Sequence, residues 1–294
     1  MSETETTLVD DRGCRLGLKF ASREIRTQFS LVARPMPEVV SAPVDLPKDF
    51  SIPNWKQDDQ RQRNTCHAHG ATATAEATYF VATHRVQQFS RRFSAILNVL
   101  RDGGHGDHGA SIDSAAMNLL EVGSCPESEL PYWQDSERWD EHIPQACRDH
   151  AEHFKCRSVF RCSSYEQLDR GVTAGWGFPT FGVEWGSHWA NARDEFITDN
   201  VLGGGIGGHA LGCTGWKTRG AERWYRIDNS HFNWGFQAGM FSHGSPALWD
   251  WICKHSQYGC YLVSDMAVDG VEPIPKRSWD WVNEANFASG GVQL

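Results

Sequence analysis

The chain has 294 residues and a formal net charge of −9, with acidic and basic residues interspersed. It therefore has no basic stripe for binding phosphates, which argues against a nucleic-acid partner. No apolar run reaches the length of a membrane-spanning helix, and residues 1–30 lack the basic start and apolar core of a signal peptide. We expect a soluble protein with no membrane partner, cytoplasmic or associated with an assembly rather than secreted.

The first 45 residues differ from the rest in composition. They include the proline-rich stretch LVARPMPEVVSAPVDLP, which cannot be helical throughout. We predict that residues 1–45 form an N-terminal arm or short pro-segment, which is also a candidate for docking into a larger assembly. Residues 46–285 are predicted to form the globular domain, helical over about 46–150 and β-rich over about 151–285, and residues 286–294 a loose tail.

Two helices are predicted in the first half. After Cys66, small and aromatic residues recur at spacings of three and four, at Ala68, Ala71, Ala75, Tyr79 and Ala82. This spacing predicts a helix with one buried face. The segment SIDSAAMNLLEVG predicts a second helix that Ser111 or Asp113 caps and that ends near Gly123.

The second half has the pattern of strands. The segments PTFGVEW, HALGCTGW and RWYRIDNS are short, rich in aromatic and β-branched residues, and separated by glycine clusters. Helices followed by a sheet indicate an α+β protein whose halves meet at a cleft.

The nine cysteines leave at least one unpaired within a monomer. Cys156 and Cys162 bracket a predicted strand, where about 20 Å of extended chain would separate them, so we expect no disulfide between them. Whether Cys253 and Cys260 close a loop stays open, since a reducing compartment disfavours that bond.

Cys66 lies where a loop changes into the first predicted helix, in the segment DQRQRNTCHAHG. The unpaired amides and the dipole at a helix N-terminus lower the pKa of a thiol and favour the nucleophilic thiolate. A buried structural cysteine is the alternative interpretation.

This segment resembles the nucleophile motif of papain-like cysteine peptidases, in which a glutamine precedes the cysteine by six residues, as Gln60 precedes Cys66. Further along the chain, His209 follows Cys66 by 143 residues (209 − 66) and Asn229 by 163 (229 − 66). The pairs His-Ala, Asn-Ser and Trp-Gly of the family occur in order, beginning at His209, Asn229 and Trp234. The resemblance covers about residues 46–245.

The resemblance implies a two-lobed α+β fold, with a helical lobe around a central nucleophile helix, an antiparallel sheet or barrel lobe, and an active-site cleft between them. It implies that Cys66 is the nucleophile, His209 its base and Asn229 the residue that orients the histidine. Gln60 would donate to the oxyanion. The substrate would be a peptide or protein, cleaved through a thioester without a metal or organic cofactor.

The spacing of two predicted strands supports the pairing of His209 with Asn229. If HALGCTGWK and AERWYRIDN form a hairpin with a three-residue loop, His209 lies directly opposite Asn229. Side chains at such cross-strand positions are close enough for a hydrogen bond. A bulge would shift this register.

Substrate contacts are predicted from the resemblance of GDHGASIDSA to the family's glycine-rich loop and helix beside the cleft. A substrate strand is expected to pair near Gly109. The predicted lining of the specificity pocket is Ser111, Ile112, Val183 and Ala210.

The chain departs from the family pattern near the nucleophile. Arg63 stands where a disulfide-forming cysteine is usual, and His67 and His69 replace aromatic or apolar residues. His231 stands where a tryptophan usually shields the histidine–asparagine hydrogen bond. We expect a weaker shield and, because imidazoles titrate between about pH 5 and 8, a stronger pH dependence.

Three alternatives stay open, of which the first follows from these departures. The first is a non-catalytic papain-like scaffold that uses its cleft for binding or assembly. The second is an amidase or transacylase with the same cysteine–histidine chemistry. The third is a metal-binding protein, whose candidate ligands are Cys66, His67, His69, His105, Asp107 and His108.

Overall fold

The computed structural model describes residues 8–10, 12–36, 46–132 and 143–266. The predicted tail, 286–294, and the predicted end of the arm at residue 45 lie outside these ranges. Among the described residues, no helix is both long enough and apolar enough to cross a bilayer.

Eight α-helices and nine strands are described. The helices are α1 Arg23–Val32, α2 Cys66–Thr83, α3 Arg91–Arg101, α4 Ile112–Glu121, α5 Gln145–Ala151, α6 Tyr165–Thr173, α7 Ser187–Ala190 and α8 Pro246–His255. The strands are β1 Arg34–Pro35, β2 Asp49–Phe50, β3 Cys156–Arg161, β4 Gly177–Gly186, β5 Phe196–Ile197, β6 Gly205–Arg219, β7 Glu222–Asp228, β8 Phe241–Gly244 and β9 Cys260–Met266.

The strands form one sheet in the order β1-β3-β9-β4-β6-β7-β8-β5, with β2 paired to β6. Its central pairings are antiparallel, and the edge pairs β1–β3 and β5–β8 are parallel. The predicted α+β class with an antiparallel sheet is confirmed. The sheet is open, so the barrel form of that prediction is wrong, because β1 and β5 end the two edges without pairing to each other.

Helix α2 is the centre of the molecule. It is buried from Cys66 to Val81. Its side chains belong to three separate apolar clusters: Ala68 lies in one, Ala71 and Ala75 lie in a second, and Ala73 lies in a third. The prediction of a single buried face was therefore wrong. A helix packed against both the sheet and other helices has no solvent face, which explains its small side chains.

A close approach of two backbones fixes α2 on β6. A Cβ atom added at Gly70 would lie 2.7 Å from the carbonyl oxygen of Leu211, and one added at Gly212 would lie 2.6 Å from the carbonyl oxygen of Gly70. Such distances exclude any side chain at either position. The contact holds the start of α2, with Cys66, beside the part of β6 that carries His209.

Helix α4 confirms the second predicted helix. Its N-cap is Ser111, whose hydroxyl accepts from the backbone N–H of Ser114 at 3.2 Å, and the helix ends at Glu121. This capping interaction satisfies an N–H that the first turn otherwise leaves unpaired.

The predicted register of the β6–β7 hairpin was wrong. Arg219 pairs with Glu222, so the turn has two residues rather than three, and the register shifts again between Cys213 and Trp216. A two-residue turn suits the positive φ of Gly220. Strand β7 ends at Asp228, so Asn229 lies just beyond the ladder instead of opposite His209.

All nine cysteines are free. The absence of a Cys156–Cys162 bond agrees with the prediction. The sulfur atoms of Cys253 and Cys260 are 3.9 Å apart and form a thiol hydrogen bond rather than a disulfide.

Candidate active site

Cys66 is the first residue of α2 and is fully buried. Burial raises the pKa of its thiol to about 11, against the opposing effect of nearby backbone N–H groups, of which those of Ala210 and Gly17 have the largest effects. The sequence predicted a lowered pKa from the helix N-terminus. Here desolvation outweighs the helix dipole, because other parts of the chain cover the sulfur.

His209 and Asn229 form a hydrogen bond. His209 Nε2 lies 2.7 Å from Asn229 Oδ1, and the His231 N–H donates to the same oxygen at 3.1 Å. An amide oxygen only accepts, so Nε2 carries the proton and Nδ1 keeps its lone pair. Nδ1 of His209 is buried and has no hydrogen-bond partner. Burial and the neighbouring His231 hold the pKa of His209 well below its usual value.

Two rings cover the His209 imidazole. The ring of His231 lies 4.1 Å from it between centroids, and that of Trp185, on β4, lies 4.5 Å from it. Both covering residues are buried. Trp185 therefore supplies aromatic cover in addition to that of position 231, where the sequence predicted a weaker shield.

Gln60 is fully buried, and its amide orientation is determined by its neighbours. Its Oε1 accepts from the Ser230 hydroxyl at 2.6 Å, and its Nε2 donates to the carbonyl oxygens of Arg63 and Arg15 at 2.7 and 2.9 Å. Ser230 follows Asn229 directly, so one short segment orients both the amide of Gln60 and the imidazole of His209.

The N-terminal residues lie across this site. Leu8–Asp10 and Cys14–Leu16 form a hairpin, in which Val9 pairs with Arg15. Arg15–Lys19 then form an extended segment, which we call the cleft strand. Its Leu18 bridges Ala110 on one side and Gly208 on the other. The cleft between the helices and the sheet is therefore filled by the chain's own backbone.

Close contacts hold the cleft strand. A Cβ atom added at Gly17 would lie 2.1 Å from the carbonyl oxygen of Asn64, and one added at Gly109 would lie 2.1 Å from the carbonyl oxygen of Gly17. Gly109 also has a positive φ of 73°. At the other end, the guanidinium of Arg15 forms an ion pair with Asp107 at 2.9 Å.

The predicted substrate-contact residues occupy different environments. The cleft strand pairs with Ala110, next to Gly109. Val183 is the cross-strand partner of His209 on β4, and the N–H of Ala210 faces the Cys66 thiol. Ser111 caps α4 and bonds Asp102, and Ile112 is buried in an apolar cluster.

Within the described ranges, the structure brings no three of the six candidate ligands of the metal-binding alternative together. Among the described residues, the groups able to hold an ion include none of these six side chains. His67 contacts the Asn98 amide at 3.1 Å, and His69 contacts the Thr65 carbonyl at 3.0 Å. Asp107 forms an ion pair with Arg15. These side chains point into different parts of the structure.

His67 and His69 are fully buried, and burial lowers the pKa of each to about 3. In the unfolded chain the pKa of each imidazole returns to about 6.5. Below pH 6.5 the unfolded state therefore binds more protons than the folded state does. Each histidine then costs about 1.4 kcal/mol of stability per pH unit down to about pH 3.

We expect His69→Phe to make the protein less sensitive to acid. The ring of His69 packs edge-on against Tyr132 at 4.8 Å, a contact that phenylalanine can keep. Between pH 7.5 and 4.5 the variant should lose about 2–3 kcal/mol less unfolding free energy than the parent in urea titrations. His188→Gln, at an exposed position, is the control and should leave the pH dependence unchanged. An equal pH dependence in the parent and His69→Phe would contradict the assignment.

Several contacts at this site were not predicted from the sequence. They involve Asp10, Arg15, Gly17, Trp185 and Ser230. The arm residues belong to no recognisable motif, and they are far from Cys66 along the chain, so no local sequence pattern predicts their contact with the site. The only sequence signal was Ser230, which follows Asn229 in the matched Asn-Ser pair.

The sequence matches no protein-family model and no curated protein. The fold is similar to that of solved structures. Xylellain, a cysteine protease from Xylella fastidiosa, aligns with a TM-score of 0.62 at 18% identity over 91% of this chain and 99% of that one. Procathepsin L 3 from Tenebrio molitor aligns with a TM-score of 0.60 at 15% identity, over 86% of this chain and 84% of that one. Procathepsin B S9 from Trypanosoma congolense aligns with a TM-score of 0.57 at 16% identity, over 84% of this chain and 86% of that one. The chain has the fold of the papain-like cysteine proteases.

Proposed function

We propose that the protein is a thiol-dependent endopeptidase that uses Cys66, His209 and Asn229, with Gln60 in the oxyanion hole. The observation that carries the proposal is the cleft strand. It presents a backbone carbonyl, that of Arg15, to the Gln60 amide at 2.9 Å, while its Gly17 N–H lies against the Cys66 thiol. An extended peptide backbone thus already fits between the nucleophile and the donor that the reaction needs.

The chemistry follows from the protonation states. With Nε2–H held by Asn229, Nδ1 of His209 is the nitrogen available to take the thiol proton. The thiolate attacks the peptide carbonyl, and the Gln60 amide stabilises the oxyanion. The imidazolium protonates the departing amine, and water hydrolyses the thioester.

We also propose that the arm is an inhibitory pro-segment. In the closed form the thiol and imidazole are both desolvated, which favours their neutral states. Displacement of the cleft strand would admit water and substrate, and the thiolate–imidazolium pair could then form.

The test is labelling by a peptidyl epoxide, followed by intact mass, on the chain after release of the arm. Cys66→Ala is expected to abolish labelling, and His209→Ala to slow it by at least about 100-fold. Gln60→Ala should keep labelling but lower peptide hydrolysis roughly 100- to 1,000-fold, since epoxide opening attacks no carbonyl and forms no tetrahedral oxyanion for the Gln60 amide to stabilise.

Cys253→Ser is the matched control, because Cys253, at 8% exposed, is the most accessible cysteine outside the arm apart from the candidate nucleophile. It should leave the labelling stoichiometry unchanged. No labelling of the folded, released chain would reject the peptidase and favour a binding scaffold.

A further inference from the structure

A cluster of potential metal ligands joins the N-terminal hairpin to the β-rich half. The ligand atoms of Asp10, Cys14 and His231 all lie within 4.8 Å of one another. Carboxylate, thiolate and imidazole are all ligands of zinc. We propose that these three side chains bind a zinc ion that fastens the arm over the cleft. The regulatory meaning of this site rests on the proposed peptidase function, whereas metal binding itself does not.

The spacing of two of these ligands fits an ion between them. His231 Nδ1 lies 3.4 Å from Asp10 Oδ2, and both side chains are almost completely buried. Nδ1 makes no hydrogen bond at that distance. Two ligand atoms that are each about 2.0–2.1 Å from a tetrahedral zinc are about 3.4 Å apart. A buried imidazole nitrogen that makes no hydrogen bond thus faces the carboxylate of Asp10, with which a protonated ring would form an ion pair, at the separation that zinc ligands have.

The neighbouring contacts orient these ligands. His231 Nε2 lies 3.3 Å from the carbonyl oxygen of Arg15, so the ring can donate there and present Nδ1 to a metal. Asp10 Oδ1 accepts from two backbone N–H groups of the hairpin, both at 2.9 Å, and Oδ2 accepts from Trp185 Nε1 at 3.1 Å. The bonds to His231 Nε2 and Asp10 Oδ1 reach the atoms that face away from the ion, as is typical of metal sites, while Oδ2 can accept from Trp185 and still bind an ion through its second lone pair.

Cys14 completes the site and leaves it accessible. It is only partly buried, in contrast to Asp10 and His231, so an ion can enter from its side. Water can fill the fourth position of a tetrahedral zinc. Binding converts the Cys14 thiol to a thiolate, and the displaced proton passes to solvent.

The three ligands come from the two parts of the chain that meet in the closed form, the arm and the β-rich half. Asp10 and Cys14 belong to the hairpin that precedes the cleft strand, and His231 lies two residues after Asn229, beside His209. Zinc therefore binds the docked arm in preference to the released one. By mass action it stabilises the closed state and slows exposure of Cys66.

The binding test uses the full chain with Cys66→Ser and Cys147→Ser, which removes the candidate nucleophile and disrupts a second ligand group formed by Cys125, Glu129 and Cys147. Titration with zinc should give one ion per chain, and Co²⁺ should give a thiolate charge-transfer band. Adding Cys14→Ser should abolish that band and weaken zinc binding on the order of 100-fold, and His231→Gln should weaken it similarly. His188→Gln, at an exposed histidine, is the control and should change neither result.

The second readout is hydrogen exchange of the cleft strand in the same inactive chain. Zinc should slow exchange of the Leu18 and Lys19 amides at least about 10-fold, and Cys14→Ser should remove that effect. No zinc binding, or binding that survives both Cys14→Ser and His231→Gln, would overturn the proposal. Neither result depends on catalysis, so failure here is distinct from failure of the epoxide labelling.

Discussion

Gly17→Ala is expected to raise the rate at which a peptidyl epoxide labels Cys66 by roughly 10- to 100-fold. The added methyl would lie 2.1 Å from the carbonyl oxygen of Asn64, a backbone atom that cannot turn away. Overpacking of this kind costs about 1–3 kcal/mol, and every 1.4 kcal/mol changes a population tenfold. This clash exists only while the arm is docked, so its cost falls on the docked state alone. Gly17 has no positive φ, so alanine adds no backbone strain of its own.

The same substitution should change the environment of the thiol. Burial raises the pKa of Cys66 to about 11, and the docked arm lies against the thiol through Gly17. Release should lower that pKa, so labelling near neutral pH should rise more than labelling at pH 10. Thiol reactivity measured as a function of pH would check this shift.

Thr27→Ala is the control for the arm. Thr27 lies on the exposed side of α1 and bonds only within its own helix, to the Arg23 carbonyl at 2.8 Å. Labelling should therefore stay at the parental rate. If Gly17→Ala labelled no faster than Thr27→Ala, the cleft strand would not be what limits access to Cys66.

Glu76→Ala is expected to lower the unfolding free energy by about 3–5 kcal/mol. Glu76 lies in α2 and is 1% exposed, and Arg91, at the start of α3, is 0% exposed. Arg91 Nη2 donates to Glu76 at 2.9 Å, and the Phe89 N–H donates at 2.8 Å. Removing the carboxylate leaves a buried guanidinium without its main partner, and an uncompensated buried charge is costly.

Glu121→Ala is the matched control for that measurement. Glu121 pairs with Arg101 at 2.7 Å, but its side chain is 43% exposed. Exposed ion pairs contribute about 0–1 kcal/mol, so denaturant titrations of the two variants should separate clearly. Equal losses would show that burial does not govern the contribution of the Glu76–Arg91 pair.

The sequence by itself predicted the α+β class, the central helix after Cys66, the helix that Ser111 caps, and the strands that became β4, β6 and β7. These features depend on local spacing, capping and turn residues, which neighbouring residues determine. The hydrogen bond between His209 and Asn229 was also predicted, although from the wrong register. The roles of Gln60, Cys66, His209 and Asn229 in catalysis remain predictions.

Only the tertiary structure decided that the sheet is open, that α2 is completely buried, and that the cleft strand covers the candidate site. The contacts of Arg15 with Gln60 and of Asp10 with His231 join positions 45 and 221 residues apart, which no local pattern encodes. The pKa of Cys66 shows the reason most clearly. Its position at a helix N-terminus can be predicted from the sequence, but the sign of its shift depends on how much chain from elsewhere covers the sulfur.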